Sequence, residues 1–174
     1  MPHEFVSGVF GSNRPAWHRL GKVLPGLLTT EEALRESGVG AVGARPEPVY
    51  IEVGGEFRPA PDWIAVVRND TDDVLGIHGD GYVIENFRDA FLALGFVDEP
   101  VWETMVLLRQ GRIAAGVLRL PDLDKVLPDA SHIASYIAAY TSHDGSYALT
   151  YKDTSVRIEC ANKLRAADAD RSAP

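Results

Sequence analysis

Cysteine is almost absent from this chain: Cys160 stands alone in 174 residues. That excludes a disulfide within the chain and a CxxC zinc pair, and it fits a reducing compartment. Long apolar runs are missing as well. No stretch approaches the roughly 20 apolar residues that a membrane-spanning helix needs, and the opening MPHEFVSGVFGSNRPAWHRLG lacks the basic start and apolar run of a secretory leader. A cytoplasmic protein with no membrane contact is expected. Positive charge is in short supply, with 17 Lys and Arg against 25 Asp and Glu, a net charge of −8. That sign repels phosphate and argues against general nucleic-acid binding unless basic residues cluster locally. No P-loop is present, and GIHGDG at 76–81 has neither dinucleotide-loop spacing nor a long helix after it. His3, His18, His78, His132 and His143 form no i,i+4 pair and do not cluster with Cys160. NDTDD at 69–73 lacks the Gly and distal Glu of a calcium loop. Neither a metal nor a cofactor is expected.

What is present is an ordinary globular composition, 45% hydrophobic and 24% charged, in a length that suits one core. The first 28 residues are rich in Gly, Pro and Arg and read as an irregular arm. TTEEALRESG at 29–38 carries a helix signal, with Thr29 or Thr30 as cap, acids in the first turn and Gly38 as stop. GARPEP at 43–48 reads as a connector. From Val49 the apolar period is two: VYIEV, Gly54-Gly55, EFRPA form one hairpin signal, and WIAVVR, a polar turn at 69–73, VLGIHG form another. Asp80-Gly81 marks a further turn before YVIEN. Over 86–97, Phe87, Phe91 and Leu94 recur at helical spacing, with Asn86 available as cap. VWETMVLLRQGRIAAGVLRLP gives strand, Gln110-Gly111 turn, strand, and HIASYIAAYTSHDGSYALTYKD repeats that plan around Asp144-Gly145. SVRIECANKLRAADAD begins as a strand at Val156 and turns helical near Ala161. The expected class is α+β, a mainly antiparallel sheet built from hairpins with a few packed helices. Its expected division is an N-terminal arm with a short helix (1–48), a sheet core (49–167) and a tail (168–174), all one domain.

Ser142-His143-Asp144 invites a catalytic reading, which the geometry of strands opposes. Neighbouring side chains on an extended strand point to opposite faces, so three consecutive residues cannot converge as nucleophile, base and orienter. Asp144-Gly145 between two apolar runs is instead a strong hairpin signal, with Ser142 and Asp144 bonding local backbone. Cys160 on an apolar strand reads as a small buried hydrophobe. No catalytic residue is assigned. His143, Asp144 and Asn162 are kept as candidates for a ligand pocket at a sheet edge. Charge is uneven: Arg14, Arg19 and Lys22 face Glu4 alone over residues 1–22, and Lys152, Arg157, Lys163 and Arg165 face Asp153 and Glu159 over 152–165.

Several phrases together resemble the phage/plasmid-like protein family, a bacterial and phage domain family without assigned function. AWHRLG at 16–21 is similar to its Trp-His-x-Leu-Gly opening, and TTEEALRESG followed by PVY to its next block. VRNDTDDVLGIHGDGYVIEN resembles its Arg-x-Asp-Thr turn leading to Leu-Gly and a Tyr before Asn. SHDGS and VRIECANKL resemble its paired signature, and the matches run in order over residues 16–164. Lys163 departs from the family's usual Asn-Thr-Leu triplet. Family members also continue further, so the resemblance implies a short member or the front part of a longer domain.

The resemblance implies a link to phages, plasmids and their hosts, and by fold-level analogy to single-strand annealing proteins, which form rings and hold DNA along a basic groove. Three functions follow as expectations. In the first, single-stranded DNA lies against Arg14, Arg19, Lys22, Arg157, Lys163 and Arg165, with Trp17, His18 and Tyr82 as stacking surfaces, in a homo-oligomer. In the second, the acidic surface docks on a phage or host protein. In the third, an enzyme or small-ligand binder uses His143, Asp144, Asn162 and Cys160. Trp17 also suits a plainer role, pinning the arm to the core with His18 bonded to backbone.

Overall fold

A computed structural model describes residues 5–11, 20–96, 101–123, 125–126 and 132–154. The fold is α+β. Its strands are β1 (Phe5–Phe10), β2 (Lys22–Val23), β3 (Ala44–Val53), β4 (Glu56–Arg68), β5 (Val74–Gly79), β6 (Val101–Leu108), β7 (Ile113–Arg119), β8 (Lys125–Val126), β9 (His132–Ile133), β10 (Tyr136–Ser142) and β11 (Thr150–Thr154). Helices α1 (Thr30–Ser37) and α2 (Phe87–Leu92) lie among them. A six-stranded sheet runs in the order β11-β10-β7-β6-β1-β2, a three-stranded sheet runs β3-β4-β5, and β8 pairs with β9. Apart from the parallel β1–β2 contact, the pairings are antiparallel.

The larger sheet explains why MVLL, IAAGVL and YIAAY are apolar without alternation: both of its faces are buried. On one face Val9, Met105, Leu107, Leu118 and Ile137 pack with Ala33 and Leu34 of α1 and with Phe87 and Phe91 of α2. Trp102 joins them, edge-on to Phe91 at 5.3 Å, and its indole N–H donates to Thr30 Oγ1 at 3.0 Å. The opposite face buries Phe10, Val106, Leu108, Val117, Tyr136 and Tyr140.

The start signal of α1 is a complete capping box. Thr29 Oγ1 accepts from the Glu32 N–H at 3.3 Å, and the Glu32 carboxylate accepts from the Thr29 N–H at 2.9 Å, satisfying two otherwise orphaned donors. Asn86 occupies the N-cap of α2 with extended backbone, yet its side chain makes no cap bond. The helix lasts six residues before tightening into a 3-10 turn at Ala93–Phe96.

Two local expectations are corrected. Residues 5–10 belong to no irregular arm: β1 pairs with β6 from Phe5↔Leu108 to Phe10↔Thr104 and sits inside the large sheet. The stretch 43–48 is no connector, because β3 begins at Ala44. Pro46 and Pro48 are tolerated there because β3 is an edge strand, whose outer side requires no ladder donor. Pro59 and Pro61 fall on β4 before its pairing with β5 begins at Trp63.

Candidate functional site

The phrases at 67–86 and 142–146, far apart in sequence, meet along one seam where the three-stranded sheet abuts the large one. Arg68, at the end of β4, grips Asp70 with two bonds, 2.6 and 2.8 Å long, and donates a third to the Gln110 carbonyl at 2.8 Å. This joins the Arg-x-Asp-Thr turn to the β6–β7 turn. Arg109, Gln110 and Gly111 all have positive φ there, at 49°, 58° and 86°. A Cβ at Gly111 would lie 2.4 Å from Arg68 Nη1, so a side chain there would displace the guanidinium, and the φ of 86° itself favours glycine. Arg112 completes the clamp, donating from Nη1 to the Leu75 carbonyl at 3.1 Å.

Further along, the turn after β10 is locked by its own side chains. Asp144 Oδ1 accepts from the Ser146 N–H at 2.9 Å and from its hydroxyl at 2.5 Å. Ser142 Oγ donates to the Tyr147 carbonyl and accepts from the Tyr147 N–H. Burial pushes the Asp144 carboxyl up, but the bonds from Ser146 and Ser142 and the Arg109 charge together outweigh it and hold it below its ordinary value. The His78 ring stacks on Tyr82 at 4.1 Å and lies over Gly145, where a Cβ would come within 2.6 Å of His78 Cε1. Gly145 is therefore required twice, for its φ of 72° and for the ring above it. Burial raises the Tyr82 phenol pKa, and the Asp144 charge adds to it.

His143 is fully buried, its ring parallel to Phe87 with centroids 3.7 Å apart. Its Nε2 lies 3.1 Å from the Glu85 carbonyl, which only accepts, so the proton sits on Nε2. The backbone N–H of His143 donates to the Arg112 carbonyl at 2.9 Å. Burial lowers its pKa to about 4, against the opposing pull of Glu85 and Asp144, and the Arg68 charge adds to the fall. The imidazole is a neutral wedge between α2 and the sheet. Nδ1 of His143 and Nε2 of His78 are buried without a hydrogen-bond partner. As described, the seam's polar groups mostly hold one another, and the His143 and Asp144 side chains have separate partners.

Among the sequence candidates, Lys22 forms an ion pair with Glu36 on α1. Arg14, Trp17, His18, Arg19, Arg157, Cys160, Asn162, Lys163 and Arg165 lie outside the described residues, as does the strand expected from Val156. Among the described residues no group of three or more His, Cys, Asp or Glu is placed to hold a metal, and no helix is long and apolar enough to cross a membrane.

Sequence reasoning missed the outer part of the three-stranded sheet. Phe57 is 75% exposed, Tyr50 57% and Trp63 52%, with Ile51, Val53 and Ile77 also exposed. The register sets Tyr50 opposite Pro59 and Glu52 opposite Phe57, so Tyr50 and Phe57 share one face of the hairpin and Ile51 and Val53 the other. The signal was available: VYIEV and EFRPAPDW have apolar residues at both alternation phases in strands too few to bury both sides.

The chain belongs to the family described as Domain of unknown function (DUF932), whose model matches residues 74–173. No curated protein and no solved structure matches it. The matched segment begins at β5 and takes in one side of the seam together with the Ser142–Ser146 turn.

Proposed function

We propose that this domain is a protein-interaction module that docks through the outer β3–β4 hairpin onto a basic, apolar surface of another protein. The observation that carries this reading is the exposure of Tyr50, Phe57 and Trp63 together. At about 150–250 Å² for each whole aromatic side chain, they leave roughly 300–450 Å² in water. That is comparable to the roughly 300–600 Å² of the largest apolar patch on a typical monomer, and Ile51 and Val53 add exposed apolar surface on the other face of the hairpin. Charge supports the same partner chemistry. Residues 44–80 hold eight acids against Arg45, Arg58 and Arg68, five of the chain's eight net negative charges. Each of these arginines is already engaged by an acid: Arg45 by Glu47 and Asp72, Arg58 by Glu56, and Arg68 by Asp70. The phage or plasmid setting of that partner rests on the resemblance of AWHRLG, the Arg68–Asn86 phrase and SHDGS.

A second reading, single-stranded DNA binding, is favoured by the same exposed rings, which suit base stacking. The acidity of the hairpin opposes it. One experiment separates the two. A photo-crosslinking residue is placed at Phe57, with Gln110 as an exposed control position, and adducts are identified from the native host. Protein adducts at position 57 that disappear in E52K/E56K support docking. Adducts with nucleic acid alone, or none above the control, overturn it. Oligonucleotide affinity that falls steeply with salt would establish the DNA reading instead.

A further inference from the structure

We infer that the surface met by the hairpin is a second copy of this chain, with Phe57 seated in the groove over β10 and β11; this rests on the docking role of the hairpin proposed above. The groove holds about 400 Å³ and is lined by Tyr140, Ala148, Leu149, Thr150, Tyr151 and Lys152. None of its lining residues comes from the hairpin of the same chain. Tyr140 is a buried element of the lining, 2% exposed. Tyr151 sends its ring to the opposite face of the sheet, where its hydroxyl donates to the Ala90 carbonyl at 2.5 Å and ties β11 to α2 beneath the groove. Burial, with the nearby Glu85 charge, raises the Tyr151 pKa and keeps the hydroxyl a donor. Lys152 forms no ion pair among the described residues, and β11 ends the large sheet with one side unpaired among the described strands.

The hairpin presents the complementary set. Phe57 projects near the Gly54-Gly55 turn, with Glu52 opposite it on the same face, while Glu56 lies on the other face with Arg58. An aromatic knob beside a carboxylate thus has the apolar and charge complement of a groove of Tyr, Leu and Ala that carries the Lys152 ammonium. Repulsion would keep DNA phosphates from the hairpin, whereas Lys152 attracts it. Because knob and groove are different patches, the contact is heterologous: each added copy leaves one of each free, and assembly closes into a ring or extends as a filament.

The test uses the full chain. Analytical ultracentrifugation over a dilution series should give concentration-dependent mass above the 18.9 kDa of one copy. F57D, which puts a charge on a central anchor, should weaken assembly by about thirtyfold or more. K152E should weaken it by about tenfold, and E52K in the same chain as K152E should restore most of that loss. In a mixture of isotope-labelled and unlabelled chains, the photo-crosslinker at position 57 should join residues 148–152 of a different copy. A monomer throughout the series, or failure of the charge exchange to restore assembly, overturns the inference. Adducts from position 57 to another protein overturn it while leaving the docking role intact. Absence of any protein adduct overturns both.

Discussion

His143 should make this protein acid-labile in a defined window. Its imidazole is neutral in the fold, with a pKa lowered to about 4 from an ordinary 6.5 by burial against Phe87. Above pH 6.5 neither the folded nor the unfolded chain protonates it, and its contribution to stability is fully present. As pH falls from 6.5 toward 4 the unfolded chain takes up a proton that the folded chain refuses, so stability declines. Below about 4 both states are protonated and the decline stops. A separation of about 2.5 pH units at 1.36 kcal/mol each gives a loss of about 3 kcal/mol, large against a total stability of about 5–15 kcal/mol. Urea melts at pH 7.5, 6.5, 5.5 and 4.5 on the protein and on H143F should separate this effect from carboxylate titration. Phenylalanine preserves the stack on Phe87 but strands the Glu85 carbonyl, at a cost of about 1–3 kcal/mol at neutral pH. The variant should therefore begin less stable and lose less, so that the two curves converge toward pH 4.5. Parallel curves would refute the reasoning, as would a folded-state imidazole resonance titrating near 6.5.

Two further substitutions probe the local arguments. Gly145→Val sets a branched side chain at a φ of 72° and against the His78 ring, and thermal melts should show a loss of about 2–4 kcal/mol, with the His78 and Tyr82 resonances displaced. Thr29→Ala removes the hydroxyl half of the capping box and should cost about 1 kcal/mol in urea melts, whereas Thr29→Ser should recover most of it.

Much of the sheet was legible in local chemistry. Gly54-Gly55, the polar run at 69–73 and Asp144-Gly145 each separate two strands as their residue types demand, and Thr29 with Glu32 announces α1. Ser142 and Asp144 do bond the local turn. What escaped the sequence is long-range. FVSGVF is short and interrupted by glycine, and nothing near it reveals that its partner is β6. Prolines at 46 and 48 look like strand breakers unless the strand is known to lie on an edge. The seam was visible as phrases but not as a place: that Arg68 lies over Gly111, or His78 over Gly145, depends on two sheets meeting. The exposed hairpin was hidden by the usual expectation that apolar strand positions are covered.

The position of β1 bears on how the protein comes into being. During synthesis Phe5–Phe10 leaves the ribosome long before Val101–Leu108, so this apolar strand emerges without the neighbour it will eventually flank. Closing so large a span is entropically slow, and in the interval the strand is a ready template for pairing with another nascent chain. Yield in the cell should then be governed by chaperone supply and translation speed.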